Sequence, residues 1–229
     1  MKSSVSKRIG IEVQRDRVLL LHGIARGAGS MRRLERAINL AGYETLNLDY
    51  PSCKMGLAEL VEQIHAQRDW ITAGDGRTHI VAYSMGCLLA RAYITRYRPP
   101  KLGNVVMLAP PNSGSEIADL LAENIIYRFM FGPAGAELTT HPPPDIVRLF
   151  GPIDYPLGII AGCRCLDPFG WWLISGPNDG RVSIERTKVL GMTDHVTIKA
   201  AHFTMPWSRI AIEQTLYFLK HKCFKSPVK

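Results

Sequence analysis

Residues 80–86 read Ile80-Val81-Ala82-Tyr83-Ser84-Met85-Gly86, an apolar run that ends on a serine. Beyond it, Met85, Leu88, Leu89, Ala92 and Tyr93 recur at three- and four-residue spacing, which predicts a helix. A serine between a buried strand and a helix lies on a sharp turn. The residues two before and two after it must be small, because strand and helix pass close to one another there. Ala82 and Gly86 meet that need. Such a turn lifts the hydroxyl out of the sheet and aims a helix N-terminus at whatever the serine attacks.

The same alternation extends outward in both directions. Val18 to Leu21 reads as a buried strand, followed by a Gly-rich loop from Arg26 to Ser30 and a helix carrying Leu34, Ala37, Ile38 and Ala41, with Ser30 as its cap and Gly42 as its stop. Glu44 to Asp49 is the next strand. A helix through Leu57, Leu60, Val61, Ile64 and Ile71 and a turn at Gly74-Asp75-Gly76 lead to the strand before Ser84. Downstream, strands are expected over Asn104 to Ala109, Leu157 to Cys165 and Val196 to Lys199, and a last helix carries Ile210, Ile212, Leu216 and Leu219. Ser113 with Glu116 has the spacing of a capping box for a helix through Asn124. Continuously apolar strands alternating with amphipathic helices imply an α/β class: a mostly parallel central sheet of about six strands with helices on both faces. Ligands of such sheets bind outside the carboxyl ends of the strands. Residues 1–229 form one domain in this reading. Residues 115–151, long, apolar and rich in proline, form a cap or lid insertion over the strand ends.

The chain has 229 residues, 46% of them hydrophobic, and a formal net charge of +8. That fits a single sizeable core. Lys220, Lys222, Lys225 and Lys229 concentrate part of the charge at the C-terminus. Nucleic acid is not the expected partner, because basic and aromatic residues do not interleave. Of the five cysteines, Cys163 and Cys165 flank one residue rather than the two of common metal or redox motifs, and both are expected on a strand. An odd, scattered set suits a reducing compartment. No secretory signal and no membrane-spanning run is evident, so a cytoplasmic location is the expectation, with peripheral membrane contact as its variant.

A serine hydroxyl is a weak nucleophile without a base, and the base needs an orienting acid. His202, in Ala200-Ala201-His202-Phe203, directly follows the last strand, and Asp179 lies in Gly176-Pro177-Asn178-Asp179-Gly180-Arg181-Val182. Bland alternatives exist for each. Ser84 has the identity of an ordinary helix cap, Asn-Asp-Gly favours turns, and His202 has the setting of a solvated loop histidine. Asp167 is the rival acid, and His195, which begins a strand, is a weak competitor base.

The order Ser84, Asp179, His202 resembles that of the α/β-hydrolases. The chain is similar to small bacterial lipases and esterases in three further runs: Leu20-Leu21-His22-Gly23, Leu108-Ala109-Pro110-Pro111-Asn112-Ser113-Gly114-Ser115-Glu116, and Pro177 to Ser183. The resemblance spans roughly residues 17 to 220. Ala82 stands where glycine is commonest. The resemblance implies that Asp179 is the acid and that the reaction is acyl transfer through a Ser-His-Asp triad, with neither metal nor organic cofactor. An oxyanion hole needs two N–H donors; those of Met85 and Ile24 are the candidates, with His22 shaping the loop.

The segment from Ile117 to Phe131 is too apolar for a solvated loop, and Phe169 and Trp171-Trp172 precede Asp179. Tyr83, Ile117, Leu121, Phe129, Trp171 and Phe203 are the expected substrate-binding residues. Together they favour a lipophilic ester, as a small molecule or a lipid, and with the basic surface they suit transient contact with an anionic membrane. An acyltransferase using the same acyl-enzyme and a non-catalytic hydrolase-like binding protein are the rival readings. Amide, thioester and lactone substrates stay open, and so does the oligomeric state.

Overall fold

The computed structural model describes residues 15–121, 124–166 and 168–226. Six strands form one sheet: β1 (Arg17–Leu21), β2 (Glu44–Leu48), β3 (Thr78–Tyr83), β4 (Leu102–Leu108), β5 (Leu157–Gly162) and β6 (Asp194–Ile198). Their order is β2-β1-β3-β4-β5-β6, and every pairing is parallel. The inner strands are buried on both faces. All six residues of β3 and all six of β5 are buried, whereas the edge strand β2 is only half-buried. This is why the inner strands read as unbroken apolar runs.

Side chains alternate between the two faces of a strand. One face carries Leu19, Leu21, Ile80, Ala82, Val105, Met107, Leu157 and Ile159. It packs against α2 (Leu57–His65) and α4 (Met85–Tyr97) through Leu60, Ile64, Leu89 and Tyr93. The other face, with Val18, Leu20, Val81, Val106, Leu108 and Ile160, packs against α1 (Arg32–Leu40) and, at the C-terminus, α10 (Arg209–His221) through Leu34, Ile38, Ala211 and Phe218.

Several boundaries differ from the sequence reading, each for a local reason. Ser30 does not cap α1. It lies in a 3₁₀ turn, and its hydroxyl donates to the Gly27 carbonyl at 2.7 Å. The helix expected to reach Ile71 breaks into α2 and α3 (Arg68–Thr72). β5 ends at Gly162, so Cys163 and Cys165 lie beyond the strand rather than on it. Beyond the strand end, the N–H groups of Cys163 and Arg164 still donate to the carbonyls of Ile198 and Ala200. In α10 the buried face is Ala211, Ile212, Gln214, Thr215, Phe218 and Leu219, while Ile210 is exposed.

Residues 109–156 connect β4 to β5 and carry three short helices: α5 (Glu116–Leu121), α6 (Ile125–Ala136) and α7 (Pro144–Val147). α6 is interrupted at Gly132, with φ 61° and ψ −161°, just before Pro133. A Cβ at Gly132 would lie 1.8 Å from the Cys53 carbonyl oxygen, so only glycine fits this crossing. Glu116 does not close a capping box with Ser113. Its carboxylate pairs with the Arg186 guanidinium, which also donates to the Ser113 carbonyl at 2.7 Å. After β5, α8 (Pro168–Leu173) and α9 (Ile184–Thr187) complete the connection to β6. All five cysteines are free thiols. No helix among the described residues is long and apolar enough to cross a membrane.

Candidate active site

Ser84 sits between β3 and α4 with φ 53° and ψ −125°. A non-glycine residue there is strained, and the surrounding bonds hold it: its N–H donates to the Leu108 carbonyl at 2.9 Å, and its carbonyl accepts from the Cys87 N–H at 2.9 Å. The need for a small residue two positions on is met by Gly86. A Cβ at Gly86 would lie 2.5 Å from the His22 carbonyl oxygen and 2.6 Å from that of Leu21. Ala82 is fully buried in the sheet.

Three side chains meet above the strand ends. The Ser84 hydroxyl oxygen lies 3.0 Å from His202 Nε2, and His202 Nδ1 lies 2.7 Å from Asp179 Oδ2. The other carboxylate oxygen of Asp179 accepts from the N–H groups of Arg181 at 2.9 Å and Val182 at 2.8 Å. The Asp179 carbonyl accepts the His202 N–H at 2.9 Å. All three residues are buried. With Asp179 as acceptor, the imidazole carries its proton on Nδ1 and presents a bare Nε2 to the serine hydroxyl. Tyr83 braces the arrangement, donating its hydroxyl to the His202 carbonyl at 2.9 Å. Burial, reinforced by the Asp179 charge, holds the Tyr83 phenol well above its usual pKa, so it stays a donor.

His22 lies beneath this turn. Its Nδ1 donates to the Gly23 carbonyl at 2.8 Å, its Nε2 accepts from the Tyr50 N–H at 3.3 Å, and its ring stacks on Tyr50 with centroids 3.9 Å apart. Burial lowers its pKa, which keeps it neutral and suited to these two roles. His22 therefore ties the loop that carries Ile24. The next residue, Ala25, has φ 53° and turns the chain away. Among the described residues the N–H groups of Ile24 and Met85 donate to no protein acceptor. His195 sits apart on β6, bonded to the Thr187 hydroxyl at 2.9 Å.

A cavity of about 420 Å³ opens beside Ser84 and His202. Of the residues expected around a substrate, Tyr83, Ile117 and Phe203 line it. Trp171 does not: it is 81% exposed, and Leu173, two residues on, lines the cavity instead. On the short helix α8 these two residues point to different sides. The side chains of Leu121, Phe129 and Phe169, and all of Asp167, lie outside the described residues. Ala118, Leu120, Phe131, Leu138 and Val182 add apolar wall, and Arg26 and Arg181 add the charged part. The sequence signal for Arg26 and Arg181 was their place two residues after Ile24 and Asp179. Leu138 had none, since only the path of residues 132–140 brings it in. Among the described residues no group of three or more His, Cys, Asp or Glu side chains is placed to hold a metal ion.

The fold has counterparts among known proteins. The mature Bacillus licheniformis lipase BlEst2 superposes with a TM-score of 0.66 at 18% identity, over 90% of each chain. Phospholipase PlaB from Legionella pneumophila gives 0.68 at 14% identity, over 91% of this chain and 60% of that one. The type II thioesterase BorB from the borrelidin biosynthetic cluster gives 0.56 at 18% identity, over 93% and 94%. No curated protein matches the chain in sequence. Residues 18–212 match the Alpha/beta hydrolase family, and that span contains β2 to β6, all of β1 but its first residue, the turn at Ser84, and both Asp179 and His202: the chain belongs to this family.

Proposed function

We propose that this protein is a serine carboxyl-ester hydrolase acting on lipophilic acyl esters. The observation that carries the reading is the hydrogen-bonded series Ser84–His202–Asp179 opening on an apolar cavity of about 420 Å³. In the first step the Ser84 oxygen attacks the ester carbonyl carbon while its proton passes to His202 Nε2. Asp179 holds the imidazole in its tautomer and stabilises the imidazolium. The N–H groups of Ile24 and Met85 receive the developing oxyanion, and removing one such donor costs about 100- to 1,000-fold in rate. The carbon–oxygen bond to the leaving alcohol then breaks as His202 returns the proton to that oxygen. Water, deprotonated by His202, opens the acyl-enzyme and releases the acid.

Residues 115–151 form the cap of this site, since Ser115, Ile117, Ala118, Leu120, Phe131 and Leu138 all line the cavity. The leaving atom is not set by these groups, and a thioester is cleaved by the same steps. Whether water or an alcohol receives the acyl group is read by adding an alcohol and measuring ester formed against acid released. The esters are met at a membrane surface: Trp171, Trp172 and Leu166 are exposed, a composition suited to the headgroup layer, on a chain of net charge +8. Flotation with vesicles containing anionic lipid tests this, and absence of binding with or without that lipid removes it.

The decisive assay is labelling with a fluorophosphonate, with the adduct mapped, beside turnover of p-nitrophenyl esters of increasing chain length. The reading requires an adduct on Ser84 and turnover that Ser84→Ala abolishes. Labelling elsewhere, or turnover retained in Ser84→Ala, overturns it.

A further inference from the structure

Two arginines stand at the Ser84 cavity, and the steps above use neither. Arg26 and Arg181 both line it, and both bring a guanidinium against the same aromatic ring. The Arg26 Cζ lies 5.2 Å and the Arg181 Cζ 5.0 Å from the centroid of Phe203. Phe203 is the residue after His202, and the two rings meet edge to face with centroids 6.1 Å apart. Each guanidinium is thus one ring removed from the imidazole. Both side chains are only partly exposed. Arg26 has no carboxylate within ion-pairing distance among the described residues. The Arg181 guanidinium also donates to the Gly180 carbonyl at 3.2 Å, and two guanidinium groups gathered at one ring present several N–H donors and positive charge to an anion in the cavity.

The chemistry says which part of a substrate reaches them. The leaving atom must accept its proton from His202 Nε2, so the leaving group lies on the His202 side of the scissile bond. That side carries Phe203 and its two arginines. The acyl chain then takes the apolar wall of Ile117, Ala118, Leu120, Phe131 and Leu138.

We propose that the substrate is an acyl ester or thioester whose leaving group carries a phosphate, held by Arg26 and Arg181. The planar, multidentate guanidinium suits phosphate oxygens. The phosphate itself does not react. The bond from Ser84 oxygen to the acyl carbon forms, the bond from that carbon to oxygen or sulfur breaks, and the leaving atom keeps the electron pair and takes the His202 proton. The proposal rests on Ser84 being the nucleophile of an ester hydrolase.

The test compares three substrates with one acyl chain, below their aggregation limits: the neutral glycerol ester, the glycerol phosphate ester and the coenzyme A thioester. The readout is the ratio of kcat/KM for each phosphate-bearing substrate to that for the neutral one, so a general loss of activity cancels. The expected ratio for at least one of them is about tenfold or more, from one or two charge-assisted hydrogen bonds. Arg26→Gln and Arg181→Gln each lower it about tenfold, and Arg26→Lys and Arg181→Lys keep part of it. Raising salt from about 0.05 to about 0.5 M shrinks it in the unmodified protein, which needs no variant to fold. The substrate that shows the ratio tells an oxygen ester from a thioester. A ratio near one for both phosphate-bearing substrates, or a ratio unmoved in both glutamine variants, overturns the proposal. Neutral ester cleaved at Ser84 without such a ratio sinks the phosphate site alone, whereas cleavage that survives Ser84→Ala sinks the hydrolase reading itself.

Discussion

The turn at Ser84 and the connection of residues 109–156 form two walls of one cavity by different means. The turn is made from neighbours in sequence. A buried strand, one strained serine and a helix follow without a gap, and the Gly86 backbone lies against the carbonyls of Leu21 and His22. The connection is made from short helices pinned from a distance: Glu116 to Arg186, the Ser115 hydroxyl to the Arg181 carbonyl at 2.8 Å, and Glu137 to the Leu57 N–H at 2.8 Å. Proton transfer needs atoms held to a fraction of an ångström, which a packed core supplies. In the proposed reaction, binding the acyl chain needs only apolar surface of the right volume, which a few pinned helices supply.

The largest effects belong to the turn and its partners. Ser84→Ala and His202→Ala are expected to lower kcat for a p-nitrophenyl ester by about 10⁴-fold or more, and Asp179→Asn by roughly 10⁴-fold through the wrong tautomer. Near-normal melting temperatures in these variants would confine the loss to chemistry. If Asp167→Asn loses more rate than Asp179→Asn, the acid has been misassigned.

Next come the two glycines that admit close crossings, one in each wall. Gly86→Ala drives a Cβ into backbone oxygens and Gly132→Ala drives one into the Cys53 carbonyl at a positive φ, so each should cost about 2–4 kcal/mol in urea unfolding. They should part in activity. Gly86→Ala should lower kcat on every ester, while Gly132→Ala should act mainly on KM for long chains. Equal loss on short and long esters in Gly132→Ala would mean that the connection also positions the reacting groups.

A smaller effect is expected from the proposed acyl wall alone. Ile117→Trp narrows the cavity and should shift preference toward short acyl chains by about tenfold in kcat/KM, with Leu138→Ala shifting it the other way. An unchanged chain-length profile in both would place the acyl chain elsewhere.

The smallest effect concerns acid stability. Burial lowers the pKa of His22, and burial first also lowers those of His79 and His195, from an ordinary value of 6.5. Between the lowered and ordinary values the unfolded chain binds more protons than the folded one. The stabilisation is therefore complete above about pH 6.5 and is lost as pH falls through the lowered values. Urea midpoints should hold steady from about pH 8 to 7 and decline toward about pH 5.5. His22→Gln should flatten part of that decline, whereas an unchanged slope would place the proton uptake elsewhere.

Much of this was legible in the chain. The inner strands showed as apolar runs because they are buried on both faces, and Ser84 showed because a strand passing directly into a helix leaves one small-residue pattern. His202 showed because it directly follows the last strand, where a parallel sheet gathers its loops, whereas Asp179, which lies beyond α8, was preferred to Asp167 through the resemblance to the α/β-hydrolases. Other features were illegible for definite reasons. Trp171 looked like cavity wall because composition does not reveal which side of a six-residue helix faces inward. Cys163 and Cys165 looked like strand because a strand ends where its neighbours end, and those neighbours are distant in sequence. The capping box of Ser113 and Glu116 had the right spacing but lost its acid to Arg186, 70 residues away.

Local order along the chain thus determined the class of sheet and the turn that presents Ser84, since periodicity and residue size act between near neighbours, while the preference for Asp179 over Asp167 came from the resemblance to the α/β-hydrolases. Only the folded chain decided that His202 lies 3.0 Å from Ser84, that Leu138 and Leu173 rather than Trp171 wall the cavity, and that Arg26 and Arg181 share the Phe203 ring. Those are contacts between segments far apart in sequence, and packing in three dimensions, which no local pattern encodes, sets their distances.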